Sequence, residues 1–339
     1  MVVLGIETSC DDSAAAVLVD GAMRSSVVSS QDRVHGPFGG VVPELASREH
    51  LKNLIPVVDA ALAKAGVDLS AIEGIAVTRG PGLVGSLLVG VAVAKAIALR
   101  RRVPLVGVHH LEGHLLAPNA VRAPAEAVEF PFLGLVVSGG HSGLYLARGP
   151  GDYACLGRTR DDAVGEAFDK VAKTLGLAYP GGPAIDRLAR EGDPDAIRFP
   201  RARMKNGRFE LSFSGFKTAV WQWVRDNRPG EADLPNVAAS VQEALVDMCL
   251  AATREGLEAT GAPRLVVSGG VSANRRLRER MQVLGDELGV DVVIPPPALC
   301  TDNAAMIAVA GARRLEQGID DGLGLDVDAS WPIGEPWDA

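Results

Sequence analysis

Residues 135–143 read LVVSGGHSG, and residues 265–273 read LVVSGGVSA. An apolar run ending in Ser-Gly-Gly therefore recurs 130 residues along the chain. Each copy reads as a buried strand that stops in a glycine turn. A glycine pair there lets the backbone turn tightly and brings its N–H groups close to an anion, which a residue with a Cβ would hold away. One copy alone reads equally well as a plain turn, whereas two matching copies suggest two grips on one nucleotide.

Outward from these turns the chain keeps an α/β rhythm. Val2 to Ile6 reads as a buried strand, Thr8 to Ser13 as a polar turn, and Ala14 to Val19 as a second strand closed by Asp20-Gly21, which together predict a hairpin with a hydroxyl-rich tip. Helical spacing runs from about Pro43 to Lys64, strand-like sequence over Gly74 to Thr78, and a small-residue helix over Val84 to Leu99. A second strand set begins at Phe132. Between the two glycine turns, Asp161 to Leu177 places Val164, Phe168, Val171 and Leu175 on one helical face and Glu166, Asp169, Lys170 and Lys173 largely on another. Thr301-Asp302-Asn303 caps a last helix to about Gln317, and the chain beyond 318 reads as irregular.

Composition bounds the function. The 339 residues are 47% hydrophobic, enough for a sizeable core in one large domain or two lobes. A net charge of −8 argues against a surface that is one nucleic-acid footprint, so any such contact is local. The best local candidate is residues 198–208, where Arg198, Arg201, Arg203, Lys205 and Arg208 occur with no acid among them. Cys10, Cys155, Cys249 and Cys300 are widely separated, which indicates neither a zinc knuckle nor a disulfide framework and fits the reducing cytoplasm. No export signal or membrane span is visible.

Two motifs invite readings that weaken on inspection. Gly80-Pro81-Gly82-Leu83-Val84-Gly85 matches GxGxxG, yet where a ribose-binding acid belongs the chain has Arg100-Arg101-Arg102 and no acid until Glu112, so close strand-to-helix packing is the better role for its glycines and an NADP site is the alternative. His110 and His114, four apart, share a helical face and can ligate one metal through imidazole nitrogens. A third ligand must come from elsewhere, and Asp302 is the candidate carboxylate. The zinc-protease pattern HExxH requires Glu after the first histidine, where this chain has Leu111, so a protease reading lacks its base.

GIETSCDDSAAAV (5–17), SQDRVHGPFGGVVPELASREH (30–50), GPGLVGSLLVG (80–90), HHLEGHLLAP (109–118), DDAVGEAFDKVAKTLGL (161–177), YPGGPAID (179–186), LSFSGFKTAV (211–220), VVSGGVSANRRLR (266–278) and CTDNAAMIA (300–308) complete a pattern over residues 3 to 312. That pattern closely resembles the bacterial branch of the threonylcarbamoyltransferase family, once labelled O-sialoglycoprotein endopeptidases. The resemblance implies an α/β, two-lobed actin-like/sugar-kinase/Hsp70-type (ASKHA) fold with duplicated mixed-sheet cores. We expect one lobe over residues 1–107, completed by a helix at 303–317, a second over 108–302, and an irregular tail at 318–339.

The resemblance further implies iron(II) at His110, His114 and Asp302. It implies that Val136, Val137, Ser138, Gly139 and Gly140 hold the phosphate or acyl part of threonylcarbamoyl-AMP. Asp169 and Asp186 would meet the ribose hydroxyls, with Gly182 and Asn274 lining the nucleoside pocket. The implied reaction moves the threonylcarbamoyl group to N6 of adenosine 37 in tRNAs that read codons beginning with adenine, releasing AMP, and Asp11 is the candidate proton acceptor. Implied partners are tRNA, a shorter actin-like paralogue and a P-loop ATPase. The chain departs from the pattern at Asp12, where Glu is common, at Ser142-Gly143 after His141, and at Val241, where Phe is common before Gln242. An ASKHA-fold small-molecule kinase is the competing reading; it leaves the His-His-Asp set without a purpose. A non-catalytic paralogue is the third, and the presence of all three ligand candidates argues against it.

Overall fold

A computed structural model describes residues 1–201 and 209–337; Arg203, Lys205 and Arg208 of the basic stretch lie outside the described residues. The chain divides into two compact units, Met1–Glu129 with Asp302–Ile333, and Phe130–Thr301 with the residues from Gly334 on.

The first unit runs β1 (Val2–Glu7), β2 (Asp12–Val19), β3 (Ala22–Ser30), α1 (Asp32–His35), α2 (Pro43–Ala65), β4 (Gly74–Gly80), α3 (Val84–Arg101), β5 (Leu105–His109) and α4 (His110–Leu116). The expected hairpin forms, with Ile6 opposite Ala15 in antiparallel register. The strand order is β3-β2-β1-β4-β5, and β4 and β5 add parallel to β1. Strand β3, half exposed at the sheet edge, carries no clean alternation, which is why its sequence gives no strand signal.

The second unit repeats that plan with β6 (Phe132–Val137), β7 (Ser142–Gly149), β8 (Asp152–Arg158), α5 (Val164–Thr174), α6 (Gly181–Ala189), α7 (Ser214–Asn227), α8 (Leu234–Thr260), β9 (Arg264–Ser268), α9 (Arg275–Leu288) and β10 (Asp291–Val293). Its order is β10-β9-β6-β7-β8, closed by β11 (Glu335–Pro336). Again an antiparallel β6-β7-β8 meander is extended by parallel strands. The duplication is therefore one of topology. The repeated LVVSGG is something else: its copies end β6 and β9, neighbours in one sheet, with Leu135 beside Val267 and Val136 beside Ser268. Parallel pairing puts both glycine turns at the same end of the sheet. Buried Phe168, Phe216 and Leu245 from the helices and Phe213, just before α7, pack with Leu133, Leu135 and Val267 of this sheet.

Helix α10 (Ala304–Glu316) returns to the first unit, capped by Asn303, whose side chain accepts from Met306 N at 3.0 Å. Small residues let it lie against the sheet: a Cβ on Gly5 would stand 2.4 Å from Ala304 O, and one on Gly311 would stand 2.1 Å from Ala76 Cβ. The division at Glu129 differs from the expected boundary at residue 107. Helix α4 packs on α10, with Gly113 against Ile307 and Met306, and so belongs to the first unit. The tail is less irregular than its composition predicts. Asp320 and Asp321 accept from Leu105 N (3.0 Å) and Gly107 N (2.8 Å), covering the edge of β5, and Glu335–Pro336 pairs with β8.

Candidate metal centre and glycine turns

Helix α4 starts where β5 ends, and His109 makes the joint. Its Nδ1 accepts from Leu111 N at 3.1 Å, capping the helix, so its Nε2–H donates to Trp331 O at 3.0 Å. The next turn carries His110 and His114 on one face, ring centroids 4.7 Å apart and edge to face. Asp302, two residues before α10, lies 3.5 Å from His110 Nε2 and 3.2 Å from His114 Nε2 through Oδ1. One ligand atom from each residue lies within 4.8 Å of the others. Donors about 2.0–2.2 Å from an ion stand roughly 3 Å apart at neighbouring coordination positions, so the set fits a divalent transition metal. Both imidazoles are buried, and their two nitrogens with one carboxylate match the facial set that leaves positions open.

Behind His110 stands a residue the sequence reading passed over. Glu7, the last residue of β1, is fully buried, and its Oε2 lies 3.0 Å from His110 Nδ1. Thr78 Oγ1 donates to the same carboxylate at 2.7 Å, and Ser9 N donates to Oε1. The carboxylate accepts from Nδ1–H, which leaves Nε2, the nitrogen 3.5 Å from Asp302 Oδ1, as the atom that would ligate a metal. The only sequence signal was an acid closing a strand otherwise apolar, VVLGIE. Burial disfavours charge on both groups, yet Asp302 and Glu7 hold His110 above the usual imidazole range, and His110 holds Glu7 below the usual carboxylate range. The pocket demands positive charge, which a bound cation meets as well as a proton does. His114 differs, because its buried Nδ1 has no hydrogen-bond partner.

The hairpin tip after Glu7 carries Asp11 and Asp12. Burial raises the Asp11 carboxyl, against a hydrogen bond from the Cys10 thiol. Burial also pushes Asp12 up to about 8, helped by the Asp302, Asp11 and Asp32 carboxylates. His50 braces the tip: its Nε2–H donates to Cys10 O at 3.0 Å and its Nδ1 accepts from Ser13 Oγ at 2.8 Å, and burial holds it below the usual imidazole range. The glycines at 80–90 allow close approaches, but not of β4 to α3: Gly80 lies against Asp328 O of the tail, Gly82 against the Ser9 backbone, Gly85 against Ser47 of α2 and Gly90 against Thr8.

In the second unit, Val136 and Val137 have fully buried side chains, on opposite faces of β6, and offer a ligand only their backbone. The tip beyond them is tight: Ser138 N donates to His141 O at 2.7 Å, and His141 N donates to Ser138 Oγ at 3.0 Å. Gly139 and Gly140 are exposed, and a Cβ on either would meet nothing within 4 Å, so packing does not require glycine there. Gly269 is required: it has φ +89, and a Cβ would stand 2.4 Å from Val137 O. The two turns thus touch through their backbones.

Helix α6 gathers the other candidates. Asp169 Oδ1 accepts from Gly181 N at 2.7 Å, fixing the start of α6, and Gly182 and Asp186 follow one turn apart on the same face. Asp186 Oδ1 accepts from Arg275 N at 3.3 Å, beside Asn274. Asn274 caps α9 through Leu277 N at 3.0 Å and donates from Nδ2 to Gln242 Oε1 at 2.7 Å. Of the basic stretch, Arg201 is engaged: Nε and Nη2 hold Asp247 Oδ2 at 3.1 and 3.0 Å, and Nη1 holds Phe199 O at 2.9 Å.

Two mixed sheets of equivalent order, each an antiparallel meander extended by parallel strands, place the chain in the actin-like, sugar-kinase and Hsp70 (ASKHA) class. Solved structures of that fold agree. The activator of the 2-hydroxyisocaproyl-CoA dehydratase from Clostridium difficile, with bound ADPNP, is 14% identical with TM-score 0.54, covering 95% of this chain and 99% of that one. The ROK hexokinase from Thermus thermophilus is 15% identical with TM-score 0.52, covering 94% of this chain and 100% of that one. At such identities the likeness is one of fold alone. Sequence relatives decide the rest. Residues 22–309 match the TsaD family, tRNA N6-adenosine threonylcarbamoyltransferase. The protein of that description from Pelobacter propionicus is 56% identical over 338 residues, 98% of each chain. The chain belongs to the tRNA N6-adenosine threonylcarbamoyltransferase family.

Proposed function

We propose that the protein transfers the threonylcarbamoyl group of threonylcarbamoyl-AMP to N6 of adenosine 37 in tRNAs reading codons that begin with adenine. The observation that carries this reading is the buried His110–His114–Asp302 set, braced by Glu7, in a chain of this family. N6 attacks the carbamoyl carbon; the new N–C bond forms, the C–O bond to phosphate breaks, and AMP leaves with the electron pair. Asp11 takes the N6 proton, a task suited to a carboxylate that burial has made more basic. Glycine-turn N–H groups of Ser138–Gly140 stabilise charge at the leaving phosphate. Gly182, Asp186, Asp169 and Asn274, gathered around α6, hold the nucleoside, each carboxylate accepting from ribose hydroxyls. His110, His114 and Asp302 would hold iron(II), which when bound supplies Lewis-acid polarisation worth several kcal/mol.

The same reading brings the shorter actin-like paralogue and the P-loop ATPase as partners, and a cytoplasmic setting. Among the described residues no helix is long and apolar enough to cross a membrane, and all four cysteines are free. The test is reconstitution. With both partners, threonylcarbamoyl-AMP and unmodified tRNA, nucleoside analysis should find N6-threonylcarbamoyladenosine and one AMP per modification. Release of ADP with a phosphorylated small acceptor would identify a kinase instead. A folded, metal-loaded protein that makes no modified nucleoside refutes the proposal.

A further inference from the structure

Helices α5 and α7 each carry a polar stripe. On α7, Phe216 and Val220 are buried in the core, while Lys217, Trp221 and Arg225 follow at i, i+4 and i+8 on another face. On α5, Lys170, Lys173 and Thr174 face outward from the buried Val171. The stripes line two adjoining clefts of about 280 and 420 Å³: Lys170, Thr174, Lys217, Thr218 and Trp221 in one, Lys170, Lys173, Trp221, Val224 and Arg225 in the other. Among the described residues no carboxylate lines either cleft, in a chain of net charge −8. Trp221 is 51% exposed, and the Arg225 guanidinium lies 5.1 Å from its ring centroid.

We propose that this cleft binds single-stranded RNA of the tRNA substrate, with a base stacked on Trp221 and phosphates on the surrounding cations. An exposed indole among cations is the arrangement that holds unpaired bases, because every base has a π-face and every linkage a negative charge. Lys170 pairs with Glu166 and Asp162, Lys217 with Asp162, and Arg225 with Asp226. The exposed pairs Lys170–Glu166 and Arg225–Asp226 exchange partners readily, whereas Lys217 and Asp162 are each less than one-fifth exposed. Lys173 is exposed and no described carboxylate pairs with it. A protein partner would also cover an exposed Trp, but four cations against the three carboxylates that pair with them, with Lys173 left over, favour a polyanion.

This inference rests on tRNA being the substrate, and its test separates the two. The full-length chain is assayed for binding to unmodified tRNA, to its anticodon-arm hairpin and to a blunt RNA duplex of equal length, with salt titrations. Trp221→Ala should weaken hairpin and tRNA binding by about 5- to 150-fold and leave duplex binding unchanged, while Trp221→Phe, which keeps a ring, retains most of the affinity. Lys173→Ala should reduce the log-log salt slope by about 0.7. A wild-type chain that modifies tRNA while Trp221→Ala binds it unchanged overturns the cleft alone. Equal loss in Trp221→Phe and Trp221→Ala, or loss of a protein partner with tRNA affinity intact, overturns it too. A wild-type chain that binds no tRNA even with both partners present overturns both readings.

Discussion

Glu7 Oε2 and His110 Nδ1, 103 residues apart in sequence, are 3.0 Å apart across a fully buried contact. A carboxylate behind a ligand histidine fixes its tautomer and raises its basicity, which links the end of β1 to whatever His110 holds.

Glu7→Gln keeps the shape and the bond to Thr78 but removes the charge. We expect metal affinity, read by chelator competition, to fall by about 10- to 100-fold with the unfolding midpoint little changed. Unaltered affinity would reduce Glu7 to a packing role.

Elemental analysis of protein prepared without chelator should find about one transition metal per chain. His110→Ala/His114→Ala, and separately Asp302→Ala, should abolish that metal and the tRNA modification together. Full metal content in the double variant would remove these residues from the ligand set.

Asn274 holds two bonds that substitution can separate. Asn274→Asp keeps the acceptor for Leu277 N and loses the donor to Gln242, whereas Asn274→Ala loses both and with them the α9 cap. The alanine variant should lose about 1 kcal/mol in denaturant unfolding, the aspartate variant less, and both should bind adenylate more weakly by calorimetry. Asp169→Asn, which keeps an acceptor for Gly181 N, should weaken adenylate binding with stability near wild type. Nucleotide affinity unchanged in all three would take these side chains out of the pocket.

Asp161 accepts from Ser212 Oγ at 2.5 Å, Phe213 N at 2.8 Å and Ser214 Oγ at 2.7 Å, tying the start of α5 to the start of α7. Burial opposes its charge, but these bonds outweigh that and hold the carboxyl below its usual range. A depressed folded value stabilises above the unfolded value, about 3.9, and the contribution is lost as pH falls through the folded one. Urea unfolding from pH 7 down to 3 should therefore show wild type losing more stability in acid than Asp161→Asn, with the two curves converging. Parallel curves would show that Asp161 carries no acid-labile stability.

Local periodicity carried what the sequence determined unaided. The i, i+4 spacing of His110 and His114 put both on one face because a helix turns every 3.6 residues, and Asn303 ended the loop before α10 because a side-chain oxygen there meets a free helix N–H. Pairing across the fold obeys no such spacing. That Glu7 backs His110, that α4 belongs with α10, and that the two Ser-Gly-Gly turns share one end of the sheet all follow from strand order, which the burial of whole sheet faces decides. The duplicated topology is likewise absent from the residues, since a mixed sheet constrains which positions are apolar and small, as at Gly5 against Ala304 and Gly311 against Ala76, and not which side chains fill them.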